Sequence, residues 1–323
     1  MIYQLREKNS VHDQKFGKRL DRMHQDFETI LAELELGWPT FLNTTPSDGR
    51  PSDSLIWVIP VKYDSTVSYY GGTKHGAKAI IDASAELEDF DLELKRDPSL
   101  VGISTLPYVE PDVSSPENMI KVVASVVDKA IKNGKTPFVL GGEHTLSVGS
   151  VSAAKKHYEN LSVLYLDAHG DLRDSYLGSK YCHATVTRRL LETTDVVHVG
   201  ARSLSEIESE FVSDPRTERL AFFPGPRAGE YDSVTISEIS KSLKEHVYIS
   251  LDLDVLDPSV MPSVGTPEPG GLSWNGIDRL VGKVSETHKI CGVDVVELSP
   301  DLGPPFASFT AAKLVYRMMG YCS

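Results

Sequence analysis

Asp167, His169 and Asp171 alternate along Asp167-Ala168-His169-Gly170-Asp171, directly after the apolar run Val163 to Leu166. Extended backbone sends alternate side chains to one side, so the three can converge on one spot. A second apolar run, Val247 to Leu251, ends in Asp252-Leu253-Asp254, and a third, Phe138 to Leu140, passes through Gly141-Gly142 into Glu143-His144. Taken singly, an Asp or His at the end of a strand is more often a helix cap or a satisfied polar residue. Four aspartates gathered with two histidines are different, because like charges repel unless cations sit among them. Metal binding is therefore the favoured reading. An oxygen-rich set with two imidazoles and no thiolate selects manganese ahead of zinc. There are more carboxylates than one ion uses, and two ions roughly 3.5 to 4 Å apart clamp and activate a water, which is hydrolytic machinery.

These residues need strands that end together. From Ser54 onward, short apolar runs (Leu55 to Val61, Phe138 to Gly141, Val163 to Asp167, Val196 to Gly200, Val247 to Asp252, Gly292 to Glu297) read as buried strands. Helical patterns lie between them at Pro116 to Lys132, Leu146 to His157, Ala184 to Glu192, Trp274 to His288 and Phe306 to Met318. The alternation predicts an α/β fold, a three-layer αβα sandwich with a mostly parallel central sheet. Ligands of such sheets bind at the carboxyl ends of the strands, where the polar residues crowd. No repeat or linker divides residues 53–323, which we expect to form one catalytic domain. Residues 1–52 read as an extension, with an amphipathic helix over His24 to Leu36 and a linker behind it.

Composition narrows the function. A formal net charge of −13 over 323 residues disfavours nucleic acid, and it suits a cationic substrate, although solvated acidic surface is the blander account. No apolar run approaches the roughly 18 residues of a membrane span, and the charged start Met-Ile-Tyr-Gln-Leu-Arg-Glu-Lys is unlike a secretory signal. A cytoplasmic protein with no membrane partner is expected. Cys182, Cys291 and Cys322 have no ligand spacing and are read as reduced, packed thiols.

The motifs Gly141-Gly142-Glu143-His144, Asp167-Ala168-His169-Gly170-Asp171, Ser250 to Pro258, Gly265 to Leu272 and Asp294 to Pro300 come in an order that resembles the ureohydrolases, meaning arginase, agmatinase and their relatives. With the stretch Pro60 to Ile81 they cover residues 54 to about 319. The resemblance implies two Mn2+ per subunit, the first on His144, Asp167, Asp171 and Asp252, the second on Asp167, His169, Asp252 and Asp254. It further implies that Asp171 hydrogen-bonds the attacking water and passes its proton to the leaving amine. Glu297 is similar to the carboxylate that grips a guanidinium, whose planar donors suit it. His183 is similar to a mobile histidine that relays protons and contacts substrate, with an imidazole that titrates near neutral pH. The family also implies a trimer or hexamer.

Glu143, Thr145, the Ala184-Thr185 pair after His183 and Tyr69-Tyr70-Gly71-Gly72 depart from the usual family pattern. The loop Leu172 to Tyr181 and Ser203 lack the arginase residues that read an α-amino acid head, so agmatine is the expected substrate, hydrolysed to putrescine and urea. Guanidinobutyrate, another guanidino acid, formiminoglutamate or arginine would keep every ligand, and Arg173 or Lys180 would favour an anionic tail if they faced the pocket. A silent binding protein of this fold and a two-metal phosphoesterase are the readings from other classes. Urea release with and without manganese tests the first, and turnover of a generic phosphate ester the second.

Overall fold

The Val-, Ile- and Leu-rich runs become eight parallel strands in a computed structural model that describes residues 39–44, 50–226 and 228–322. They are β1 (Ile56–Pro60), β2 (Ile103–Thr105), β3 (Thr136–Leu140), β4 (Leu161–Leu166), β5 (Asp195–Val199), β6 (Leu220–Phe223), β7 (His246–Asp252) and β8 (Lys289–Val296), in the spatial order β2-β1-β3-β8-β7-β4-β5-β6. Parallel neighbours require crossovers, and α-helices supply most of them: α1 (Gly76–Ser84), α2 (Pro116–Lys132), α3 (Leu146–His157), α4 (Val186–Leu190), α5 (Glu206–Ser213), α6 (Ser233–Ser242) and α7 (Trp274–Ser285), with α8 (Phe306–Tyr321) closing the chain. The amphipathic stretch His24 to Leu36 lies outside the described residues.

Period-two alternation divides the sheet into two apolar faces. Val58, Leu140, Leu166, Leu251 and Val295 point to the side covered by α1, α6, α7 and α8. Ile59, Val139, Tyr165, Val196 and Tyr248 point to the side covered by α2, α3 and α4. The three expected layers follow. The central strands are buried almost end to end, which is why they read as continuous apolar runs.

Local signals fix where helices start. The Ser115 Oγ caps α2 by accepting from the Asn118 N–H, with Pro116 in the first turn, and Ser273 caps α7 in the same way through the Gly276 N–H. The helix expected over Ala184 to Glu192 is a 3₁₀ turn, His183–Thr185, continued by α4. Sequence reading missed β2 and β6, short edge strands, and α1, α5 and α6, which are short or rich in serine and glycine.

Candidate active site

Four adjacent strands, β3, β8, β7 and β4, end beneath one cavity of about 190 Å³. His144, Asp167, His169, Asp171, His183, Asp252, Asp254 and Glu297 all line it. Their chain separation is as large as the 153 residues between His144 and Glu297, whose Oε1 accepts the His144 N–H at 2.6 Å. Folding therefore brings every expected site residue to one place.

The turns that deliver these groups depend on unusual backbone. Gly141 and Gly142 have φ of 81° and 79°, and a Cβ on Gly141 would sit 2.5 Å from the Ala77 nitrogen. Only glycine permits that exit from β3. Asp171 (φ 52°) and Glu297 (φ 67°) adopt left-handed conformations without being glycine, a local strain typical of functional positions.

The acidic and imidazole atoms form two overlapping groups. His144, Asp167 and Asp171 make one and Asp167, His169 and Asp254 the other, each with its ligand atoms within 4.8 Å of one another. His144 Nδ1 lies 3.0 Å from Asp167 Oδ2, 3.1 Å from Asp252 Oδ2 and 3.7 Å from Asp171 Oδ2. His169 Nδ1 lies 2.8 Å from Asp254 Oδ2. Burial, and then the neighbouring Asp167, drives the carboxyls of Asp171 and Asp254 up. For Asp252 burial is followed by Asp254 and Asp167. Burial alone would lower His144, but its contacts with Asp167 and Asp252 outweigh that and raise it well above the histidine range. Asp167 is held low, because its contacts with His144 and His169 outweigh its own burial.

This crowding is what divalent cations relieve. One atom tests the fit directly: Asp167 Oδ2 is fully buried, and its one near partner, the His144 ring at 3.0 Å, is not aligned for a hydrogen bond. A buried carboxylate oxygen so poorly served is costly, and a cation shared between the two groups would satisfy it. The residues fit a pair of hard or borderline cations.

Around the cluster lie Tyr165, Thr66 and Ser68, which sequence reading did not single out, together with Glu143 and Thr145, which it did. Tyr165 OH donates to Asp171 Oδ2 at 2.7 Å, while its ring stacks on His144 at 4.6 Å with planes 2° apart. Glu143, fully buried, accepts from the Thr66 N–H and Oγ1 at 2.6 Å each, and from Thr145 Oγ1 at 2.7 Å. Thr66 Oγ1 in turn lies 3.4 Å from His183 Nδ1, and Ser68 Oγ lies 3.3 Å from its Nε2. The departures at Glu143 and Thr145 thus tie the loop after β1 to His183. Burial holds the His183 ring down to about 4, a neutral acceptor at physiological pH and not the near-neutral titrating group expected from sequence. A spacing pattern could not reveal these partners, since a lone Thr, Ser or Tyr carries no signal until the chain is folded.

Neither Asp252 nor Glu297 is in the two ligand groups, but Asp252 Oδ2 lies 3.1 Å from His144 Nδ1 whereas the Glu297 carboxyl, held by the His144 backbone, is pushed up to about 8, first by burial and then by Glu143. A bound cation would pull it back toward the ionised form. Arg173 lines the cavity wall, 4.9 Å from the Tyr176 ring centroid and 3.9 Å from Glu208, whereas Lys180 is exposed and outside the cavity. Tyr69 and Tyr70 stand at the mouth with ring centroids 4.1 Å apart.

Residues 54–320 match the Arginase family. The chain is 38% identical over 274 residues to the N(1)-aminopropylagmatine ureohydrolase of Thermus thermophilus, spanning 84% of this chain and 92% of that protein. It is 34% identical over 276 residues to the agmatinase of Pyrococcus horikoshii, spanning 84% and 93%. The crystal structure of the agmatine ureohydrolase of Thermoplasma volcanium superposes with a TM-score of 0.80 at 31% identity, covering 90% of this chain and 97% of that one. No described helix is long and apolar enough to cross a membrane. The chain belongs to the arginase family, as a ureohydrolase that cleaves a carbon–nitrogen bond of a linear guanidine or amidine.

Proposed function

We propose that the protein hydrolyses agmatine to urea and putrescine with two manganese ions. His144, Asp167, Asp171 and Asp252 would hold one ion, and Asp167, His169, Asp252 and Asp254 the other. The observation that carries the reading is Glu297, a carboxylate that lines the same cavity as the ligand set with its Oε1 held by the His144 backbone N–H, suited to a planar cation. When bound, the ions polarise water and offset the charge of the aspartates.

The chain's own groups do the rest. Glu297 orients the guanidinium, a water oxygen adds to its carbon, and the bond to the alkyl nitrogen breaks. Asp171, aimed by Tyr165 OH, carries the proton from the water to the departing amine. His183, neutral and held by Thr66 and Ser68, contacts substrate at the cavity wall.

A second reading has its own support. Proteins named for N(1)-aminopropylagmatine are among the relatives, and Tyr69, Tyr70 and Tyr176 line the cavity as aromatic faces suited to a further ammonium group on the tail. Arg173 argues for an anionic tail instead, but Glu208 lies beside it to counter its charge. Urea release from agmatine, N(1)-aminopropylagmatine, 4-guanidinobutyrate and arginine, each with Mn2+, distinguishes the cases. The two amine-tailed substrates should exceed the others by on the order of 10²-fold in kcat/KM. Preference for guanidinobutyrate would transfer the tail site to Arg173, and turnover of none of the four would refute the agmatine reading in favour of another guanidine or amidine substrate.

Residues 53–323 are proposed to act as one catalytic domain with residues 1–52 appended, in a cytoplasmic homo-oligomer, trimer or hexamer. Exposed Leu302, Phe306 and Phe309 near the start of α8 support subunit contacts. Light scattering that finds only monomer at micromolar concentration would refute the assembly.

A further inference from the structure

Beneath the ligand residues, one polar row crosses the sheet in register on the face covered by α2, α3 and α4: Asp294 of β8, Ser250 of β7, Tyr165 of β4 and His198 of β5. Asp294 and Ser250 are fully buried and have no part in the reaction described above. Ser250 Oγ donates to Asp294 Oδ1 at 2.8 Å and lies 2.9 Å from His144 Nε2. A hydroxyl has one proton, and here it is given to Asp294, so toward the imidazole Oγ can only accept. Nε2 must then carry a ring hydrogen, so Nδ1, 3.0 and 3.1 Å from the carboxylate oxygens of Asp167 and Asp252, is the nitrogen that gives up its proton when a cation binds. The Tyr165 ring, parallel to His144, fixes the plane in which Nδ1 points. A buried carboxylate is an expensive way to fill a strand position that a valine would fill at no cost, so a use for it is required. Burial lifts Asp294 only to about 6, so it remains an acceptor at neutral pH.

We propose that Asp294, acting through Ser250, is a positioning residue that holds a hydrogen on Nε2 of His144 and so reserves Nδ1 for a divalent cation. The inference rests on the reading of His144 as a ligand. Sequence spacing gave no hint of it, since the partners come from three different strand ends.

Titration of the chelator-stripped full chain with Mn2+ alone, followed by equilibrium dialysis, tests it without substrate. Asp294→Asn keeps the shape, but its amide can donate to Ser250 Oγ and free the hydroxyl proton to point at Nε2. Its half-saturation for the first ion should rise roughly 10- to 100-fold, with kcat at saturating Mn2+ within a few-fold of the parent. Ser250→Ala should show the same loss, and Ser250→Thr, which keeps the hydroxyl, should recover most of it. Urea denaturation of the stripped proteins separates a merely structural role, which would lower the midpoint and leave Mn2+ half-saturation unchanged. That result, or parental Mn2+ binding in both Asp294→Asn and Ser250→Ala, overturns the proposal. If Ser250→Ala does not fold, the isosteric Asp294→Asn decides alone. Parental binding by His144→Ala would instead sink the ligand reading, a separate outcome.

Discussion

At the scale of single residues, Glu297 separates guanidinium hydrolysis from generic two-metal hydrolysis. It shares a cavity with the ligand set, and its Oε1 is engaged by the His144 backbone N–H. Glu297→Ala should keep both ions and lose on the order of 10²-fold or more in kcat, because a misplaced substrate alone costs that much. Glu297→Gln should be nearly as damaging, since an amide keeps the shape but loses the charge and one acceptor. Metal analysis beside steady-state rates checks this, and an emptied site in either variant would make Glu297 a structural residue. The aspartates and histidines were legible in the sequence because alternate spacing on a strand end is itself a geometric statement. The parts played by Tyr165, Thr66 and Ser250 were not legible. Their roles come from contacts across strands or across as many as 106 residues, and no local pattern marks them.

At the scale of elements, the bounds of α2 and α3 could be read off the sequence. Ser115 and Pro116 announce the start of one, and the Gly-Gly exit of β3 leads straight into the other. The edge strands β2 and β6 could not, because three or four residues do not establish a period. The Gly-Gly exit also gives a controlled comparison. Gly134, in the turn after α2, has φ of 70° and nothing within 4 Å of an added Cβ, whereas Gly141 has φ of 81° and the α1 backbone at 2.5 Å. Gly134→Ala should cost about 1 kcal/mol from backbone conformation alone. Gly141→Ala should cost about 3 kcal/mol or more and should weaken metal binding, because His144 follows the displaced turn. Equal losses in denaturant unfolding would show that the contact with α1 is unimportant.

At the scale of the whole molecule, the candidate site draws on four contiguous central strands, so its integrity and that of the fold are linked. Cations that bind only the folded chain should stabilise it by about 2.7 kcal/mol per site at a hundredfold excess over Kd. Chelation should therefore lower Tm by several degrees, at roughly 2–4 °C per kcal/mol for a chain of this order of size. A Tm indifferent to chelator and to added Mn2+ would count against a metal centre. The sheet's parallel order has one more consequence. Every strand delivers its chemistry at the carboxyl edge, while the returns from α2 to β3 and from α3 to β4 turn at the opposite edge. A short epitope inserted between Asn133 and Gly134 should leave KM and kcat unaltered. The same insertion between Leu177 and Gly178, an equally open tip beside the cavity, should change KM for long-tailed substrates first. Labels, tethers and fused modules belong on the first edge, and a library aimed at altered substrate choice belongs on the second.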